Sequence, residues 1–174
     1  MDKLRNLDGM TLSEHPSAPK LRVQRMPGAR VSAAATLPVT PNTAQGDSPW
    51  ALWLGPAEWL LYALEGGIEP LQHTVEDDVR AGSMVVAEVS QGFALIELSG
   101  AETLAVLATD CGLDLAGGAV PPGGCAQSHF HQVPFILHRP RGSEAWRLFI
   151  DRSVSRFLID SLCSRHEVRH LRSR

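Results

Sequence analysis

Along residues 50–63 the chain is almost continuously apolar: WALWL, then Gly55-Pro56, then EWLLYAL. Short apolar runs bounded by turn residues predict two buried strands. The period then changes. Ile68, Leu71, Val75 and Val79 recur at spacings of three, four and four, which predicts one helical face. SMVVAEVSQGFALIELSG (83–100) predicts two strands joined as a hairpin at Gln91-Gly92. Ser99 and Glu102 have capping-box spacing. A helix burying Ala101, Leu104, Leu107 and Ala108 is expected after them, ending near Gly112. Beyond the PPGG loop, CAQSHFH, VPFILHR and AWRLFID are three strand candidates. Asp151 is placed to cap a last helix whose predicted buried face is Val154, Phe157, Leu158 and Leu162.

The first 48 residues read differently. Residues 1 to about 20 are polar and carry too little apolar surface to offset their ordering entropy. They predict either a disordered leader or an arm that orders only against a partner, with Leu4, Leu7, Leu12 and Leu21 as its apolar contacts. KLRVQRM (20–26) predicts a short strand, GARVSAAAT (28–36) two helical turns, and residues 38–49 a loop. The organisation expected is an extended arm and loop (1–48), an α+β domain (49–164) and a frayed basic tail (165–174). Paired strands before each helix suggest antiparallel sheets with helices packed on one side, and no glycine-rich dinucleotide or phosphate loop is present.

Composition narrows the class. At 174 residues, 44% hydrophobic and 20% charged, the chain has the profile of one globular domain. A net charge of -3 gives no global electrostatic argument for nucleic acid or an anionic membrane. Every uncharged apolar run is shorter than the roughly 18 residues that span a bilayer. The N-terminus MDKLRNLDGM has no apolar stretch, so no signal peptide is expected, and three cysteines do not suggest a secreted disulfide scaffold. The default expectation is cytoplasmic.

The chemistry candidates are few. Cys125, His129 and His131 share one face of a predicted strand with alternate residues, and Cys111 lies upstream. They could ligate a metal, but closely paired zinc ligands of the C-x₂₋₄-C kind are missing. Alternation alone also accounts for them. Cys111 sits at a predicted helix C-terminus, which disfavours a thiolate, and Cys163 lies off the buried face of the last helix. Glu76, Asp77 and Asp78 read as a solvated helix surface rather than a catalytic acid cluster. Trp50, Trp53, Trp59 and Trp146 all fall on predicted strands, as core or interface anchors or as a ligand platform.

Several ordered blocks carry a resemblance. LWLGPAEWLLYA (52–63) resembles the L-G-P-x-E-W-L signature of the sarcosine oxidase gamma subunit family. AEVSQGFALIELSGAETLAVLATDCGLDL (87–115) is similar to its second block, PPGGCAQSHFHQVPFILHR to its third, and LFIDRSVSRFLIDSL to its closing strand and helix. The similarity runs from about residue 38 to 163. Two departures stand out: SQG where a histidine often follows the serine, and SHFH where threonine and arginine are commoner after C-A-Q.

The resemblance implies part of the folate-binding aminomethyltransferase-like fold and a non-catalytic subunit of a heterotetramer with alpha, beta and delta chains. Such a complex oxidatively demethylates sarcosine to glycine, passing the one-carbon unit to tetrahydrofolate. FAD, FMN, NAD and tetrahydrofolate are then expected on the partner chains, chiefly alpha and beta, and no cofactor, metal or catalytic residue on this one. On that reading Cys111 and Cys125 are small, buried residues packing either end of the PPGG loop. Other readings remain: the gamma subunit of a related N-methyl amino acid dehydrogenase, such as one acting on N-methylglutamate; a stand-alone folate-binding protein; or a small zinc protein.

Overall fold

The computed structural model describes residues 3–172. In chain order the strands are β1 (Lys3–Leu7), β2 (Met10–Glu14), β3 (Lys20–Arg25), β4 (Ala44–Gln45), β5 (Trp50–Gly55), β6 (Glu58–Tyr62), β7 (Met84–Glu88), β8 (Phe93–Ser99), β9 (Gly124–Phe130), β10 (Val133–Arg139) and β11 (Trp146–Asp151). The helices are α1 (Glu69–His73), α2 (Glu76–Arg80), α3 (Thr103–Leu107) and α4 (Ser155–Arg172). They build a six-stranded sheet, β1-β2-β8-β11-β10-β9, and a five-stranded sheet, β4-β5-β6-β3-β7. Neighbouring strands in both are antiparallel.

Strand alternation sorts the side chains into layers. On β8, β10 and β11 one set, Ile96, Leu98, Phe135, Leu137, Leu148 and Ile150, packs under α3 and α4. The other set includes Leu95, Ile136 and Phe149, which meet Leu52, Leu60 and Tyr62 of the second sheet. The outer face of that second sheet buries Leu21, Val23, Trp59 and Leu61 against Leu71 and Val75. The two sheets thus face each other, and the helices cover outer faces. This agrees with the expected antiparallel α+β architecture. Each fully buried leucine in these layers contributes about 2–3 kcal/mol from apolar transfer.

The N-terminal segment differs from expectation. β1 and β2 form a hairpin, and β2 pairs with β8 from Thr11↔Ser99 to Glu14↔Ile96. Leu12 is fully buried in the core under the helices, and Leu21 in the core beneath α1, so neither awaits a partner chain. Leu7 packs on the first of these cores, while Leu4 is 60% exposed. The hairpin is ordered by the backbone edge that β8 offers, which local polarity does not reveal.

Other expectations need correction. Gln91-Gly92 does not close a hairpin: β7 pairs with β3 in one sheet and β8 with β2 and β11 in the other. The turn reverses the chain while carrying it between sheets. The single helix expected over Ile68–Val79 is two short helices, because Val75 leaves helical geometry at φ −126° to bury its side chain. Val79 is left 38% exposed. The Ser99–Glu102 capping box is absent, since the Glu102 amide donates to the carbonyl of Gly9 in the β1–β2 turn. Gly100 (φ +107°) permits that approach, for a Cβ there would lie 2.5 Å from the Gly9 oxygen. The buried residues of α3 are Thr103, Val106 and Leu107, with Ala101 and Ala108 exposed. Asp151 does cap, accepting from the Ser153 amide at 2.8 Å, but Phe157 is 55% exposed and Ile159 takes its place in the core. Residues 165–172 continue α4 instead of fraying, and 173–174 lie outside the described residues.

Candidate functional site

β6, β10, β11 and β8 each send one polar side chain into the space between the sheets. Arg147 donates from one terminal nitrogen to the Tyr62 hydroxyl at 2.9 Å and from Nε to the Glu97 carboxylate at 2.7 Å. The Tyr62 hydroxyl and His138 Nδ1 are 2.6 Å apart. Arg147 already donates to the phenol, so the arrangement that gives the phenolic proton an acceptor has Tyr62 donating to His138 Nδ1, and the bond is assigned in that direction. Burial first, and the Arg147 charge second, push His138 down to about 3, so the ring is neutral. Its own proton therefore sits on Nε2. Burial raises the Tyr62 phenol far above its ordinary value despite Arg147 beside it. The indole of Trp50 closes the arrangement, stacked on Tyr62 at 5.0 Å with the Arg147 guanidinium 4.3 Å from its centroid.

Two members of this network, His138 and Trp50, line a cleft of about 540 Å3. One wall is the segment from Pro38 to Trp50, the other the Gly123 turn and Arg141 beyond β10. The segment is stitched across both sheets: the amides of Ala44 and Cys125 donate to Gly123 and Asn42 carbonyls, and that of Trp53 to Thr43. A residue stretch read from sequence as a loop thus ties the edge of one sheet to the other.

The cysteines and histidines singled out by sequence do not converge. Cys125 is buried between the sheets, its thiol against the carbonyls of Thr43 and Trp53, and burial pushes it up to about 11. His129 is exposed on β9. His131 leaves the strand at φ +44° and pairs with Asp110 at 3.3 Å, itself 2.6 Å from Arg165 on α4. The one-face geometry inferred from alternation fails at that residue. Cys111 is half-buried, 4.0 Å from the Ser128 hydroxyl, and Cys163 lies near Arg5. Among the described residues no group of three or more His, Cys, Asp or Glu is placed to hold a metal.

The acidic trio divides. Glu76 and Asp77 are solvated and pair with Arg80. Asp78 is 3% exposed and is a structural group, not a surface one. Burial alone would raise its carboxyl, but the amides of Ala33 and Ser32 and the Ser83 hydroxyl outweigh this and hold it below the usual range. All four tryptophans lie on strands, Trp59 and Trp146 buried and Trp50 and Trp53 half-buried. The signal for the polar network was present but faint: His138 and Arg147 each adjoin an apolar run, FIL in β10 and LFI in β11.

Comparison with known proteins places the whole arrangement. A search of the curated proteins finds no match to the sequence. The structure is similar to a chain of the heterotetrameric sarcosine oxidase from Corynebacterium sp. U-96 in complex with pyrrole 2-carboxylate. The TM-score is 0.80 at 25% identity, covering 95% of this chain and 87% of that one. The glycine cleavage system aminomethyltransferase T from Bartonella henselae shares the fold at a TM-score of 0.63 and 17% identity. There 87% of this chain covers 45% of the other. A scan of protein-family models matches residues 25–164, an interval that runs from the end of β3 into α4 and includes the residues lining the cleft. That match is to the sarcosine oxidase, gamma subunit family, and the chain belongs to it.

Proposed function

We propose that this chain is the non-catalytic gamma subunit of a heterotetrameric sarcosine oxidase. The complex would oxidatively demethylate sarcosine to glycine and pass the one-carbon unit to tetrahydrofolate. The observation that carries this reading is the similarity over 95% of the chain to a chain of such an assembly. On this reading alpha, beta and delta chains are its partners, alpha chiefly, and they hold FAD, FMN, NAD and tetrahydrofolate. The setting is cytoplasmic; no helix among the described residues is long and apolar enough to cross a membrane.

The side-chain chemistry supports a structural role. A general acid or base works best when it titrates near the working pH. His138 is pushed to about 3, Cys125 to about 11 and Tyr62 further still, so the buried titratable groups around the cleft are poor proton carriers at neutral pH. The fold instead offers a rigid two-sheet body.

Purification of the isolated full chain tests the assignment of chemistry. It should show neither flavin absorbance nor sarcosine oxidation. Stoichiometric flavin, or turnover by the chain alone, would overturn the reading.

A further inference from the structure

The cleft above His138 brings together a buried histidine, two charged side chains and a tryptophan. His138 is 1% exposed and lines the cleft. Its Nδ1 is occupied by Tyr62 at 2.6 Å, and with Tyr62 assigned as the donor the ring's own proton sits on Nε2. Among the described residues Nε2 has no hydrogen-bond partner, so a fixed donor in a low-dielectric floor awaits an acceptor. Arg147, a donor only, offers it no acceptor and is itself engaged by Tyr62, Glu97 and the Trp50 ring.

Two charged side chains of opposite sign line the same cleft from different segments, Asp47 and Arg141. Among the described residues neither has an ion-pair partner. Arg141 is seated by Gly123, where a Cβ would overlap its Nε, and Gly123 itself takes φ +82°. The half-buried Trp50, backed by Tyr62 and Arg147, adds a rigid apolar wall. A volume of about 540 Å3 lies within the range of small-molecule sites, roughly 300–1,000 Å3.

We propose that this cleft binds a small zwitterionic amino acid, its carboxylate accepting from His138 Nε2–H and Arg141 and its ammonium group facing Asp47. A lone anion would meet the Asp47 carboxylate, and a lone cation would leave Arg141 and the histidine donor unanswered. A group carrying both charges satisfies all three. The proposal is independent of the assembly reading, because the groups it uses all belong to this chain.

Calorimetric titration of the full chain with glycine, leucine, acetate and methylammonium tests it. At least one of the two amino acids should bind with Kd at or below about 1 mM, and acetate and methylammonium at least about tenfold more weakly. Arg141→Gln should weaken the amino acid about tenfold or more. Asp47→Asn should erase the preference over acetate. In the same samples the imidazole 15N signal of His138 Nε2 should shift on saturation. No saturation by either amino acid up to about 20 mM, acetate binding as tightly, an unchanged Kd in Arg141→Gln, or an unmoved His138 signal would each overturn the proposal.

Discussion

The Tyr62 hydroxyl of β6 and the His138 Nδ1 of β10 meet at 2.6 Å, joining the two sheets through side chains that are both buried. Tyr62→Phe keeps the ring and its stacking on Trp50 but strands His138 Nδ1 and one Arg147 donor. Leaving buried polar atoms unpaired costs about 1–3 kcal/mol, so the unfolding free energy should fall by that amount, read as a lower urea midpoint at unchanged m-value. An unaltered midpoint would show that the contact contributes nothing.

His138 also sets a pH dependence. Its folded value, about 3, lies below the unfolded value of roughly 6.5. Between these the unfolded chain binds a proton that the folded chain refuses. Stability should therefore be full above about pH 6.5 and fall by about 1.4 kcal/mol per unit as pH drops below it. Lys20, wholly buried, is lowered by burial and by Arg152 to about 8, so its contribution rises with pH from about 8 to the unfolded value. Urea titrations from pH 7 to 5 on the parent and on His138→Gln check the first claim; an equal slope in both would contradict it.

The N-terminal hairpin belongs to the fold. Leu12→Ala removes a fully buried β2 side chain from the core under α3 and α4 and should cost about 2–5 kcal/mol. Thermal unfolding would show it. A melting temperature within error of the parent would mean that the hairpin is dispensable.

Cys111→Ser and His131→Ala should leave turnover of the assembled enzyme within about tenfold of the parent. A nucleophile or general base lost at either position would reduce it about 100-fold or more. Steady-state rates on the reconstituted complexes separate the two outcomes.

Strand alternation was readable wherever a strand is buried on both faces. Phe135 and Leu137 against Ile136 and His138 sort to opposite layers as period two requires. Pairing was not readable. Gln91-Gly92 signals a reversal, yet nothing local says that β7 joins β3 while β8 joins β11. The polar hairpin at residues 3–14 gains its order from an edge supplied some 80 residues away, and the Ser99 cap lost its amide to Gly9, equally remote in sequence. Asp78 looked like surface because its partners, Ser32 and Ala33, lie on another segment. The cleft escaped for the same reason: Trp50, Tyr62, His138 and Arg147 become a group only when the two sheets face each other.

The central claim is membership of a four-chain enzyme, and native mass spectrometry of the tagged full chain, purified from its own cells, tests it most directly. The account predicts one assembly containing this chain and three others in equal number, carrying flavin absorbance and oxidising sarcosine. Recovery of the chain alone, from cells whose sarcosine-oxidising fraction lacks it, would contradict the account.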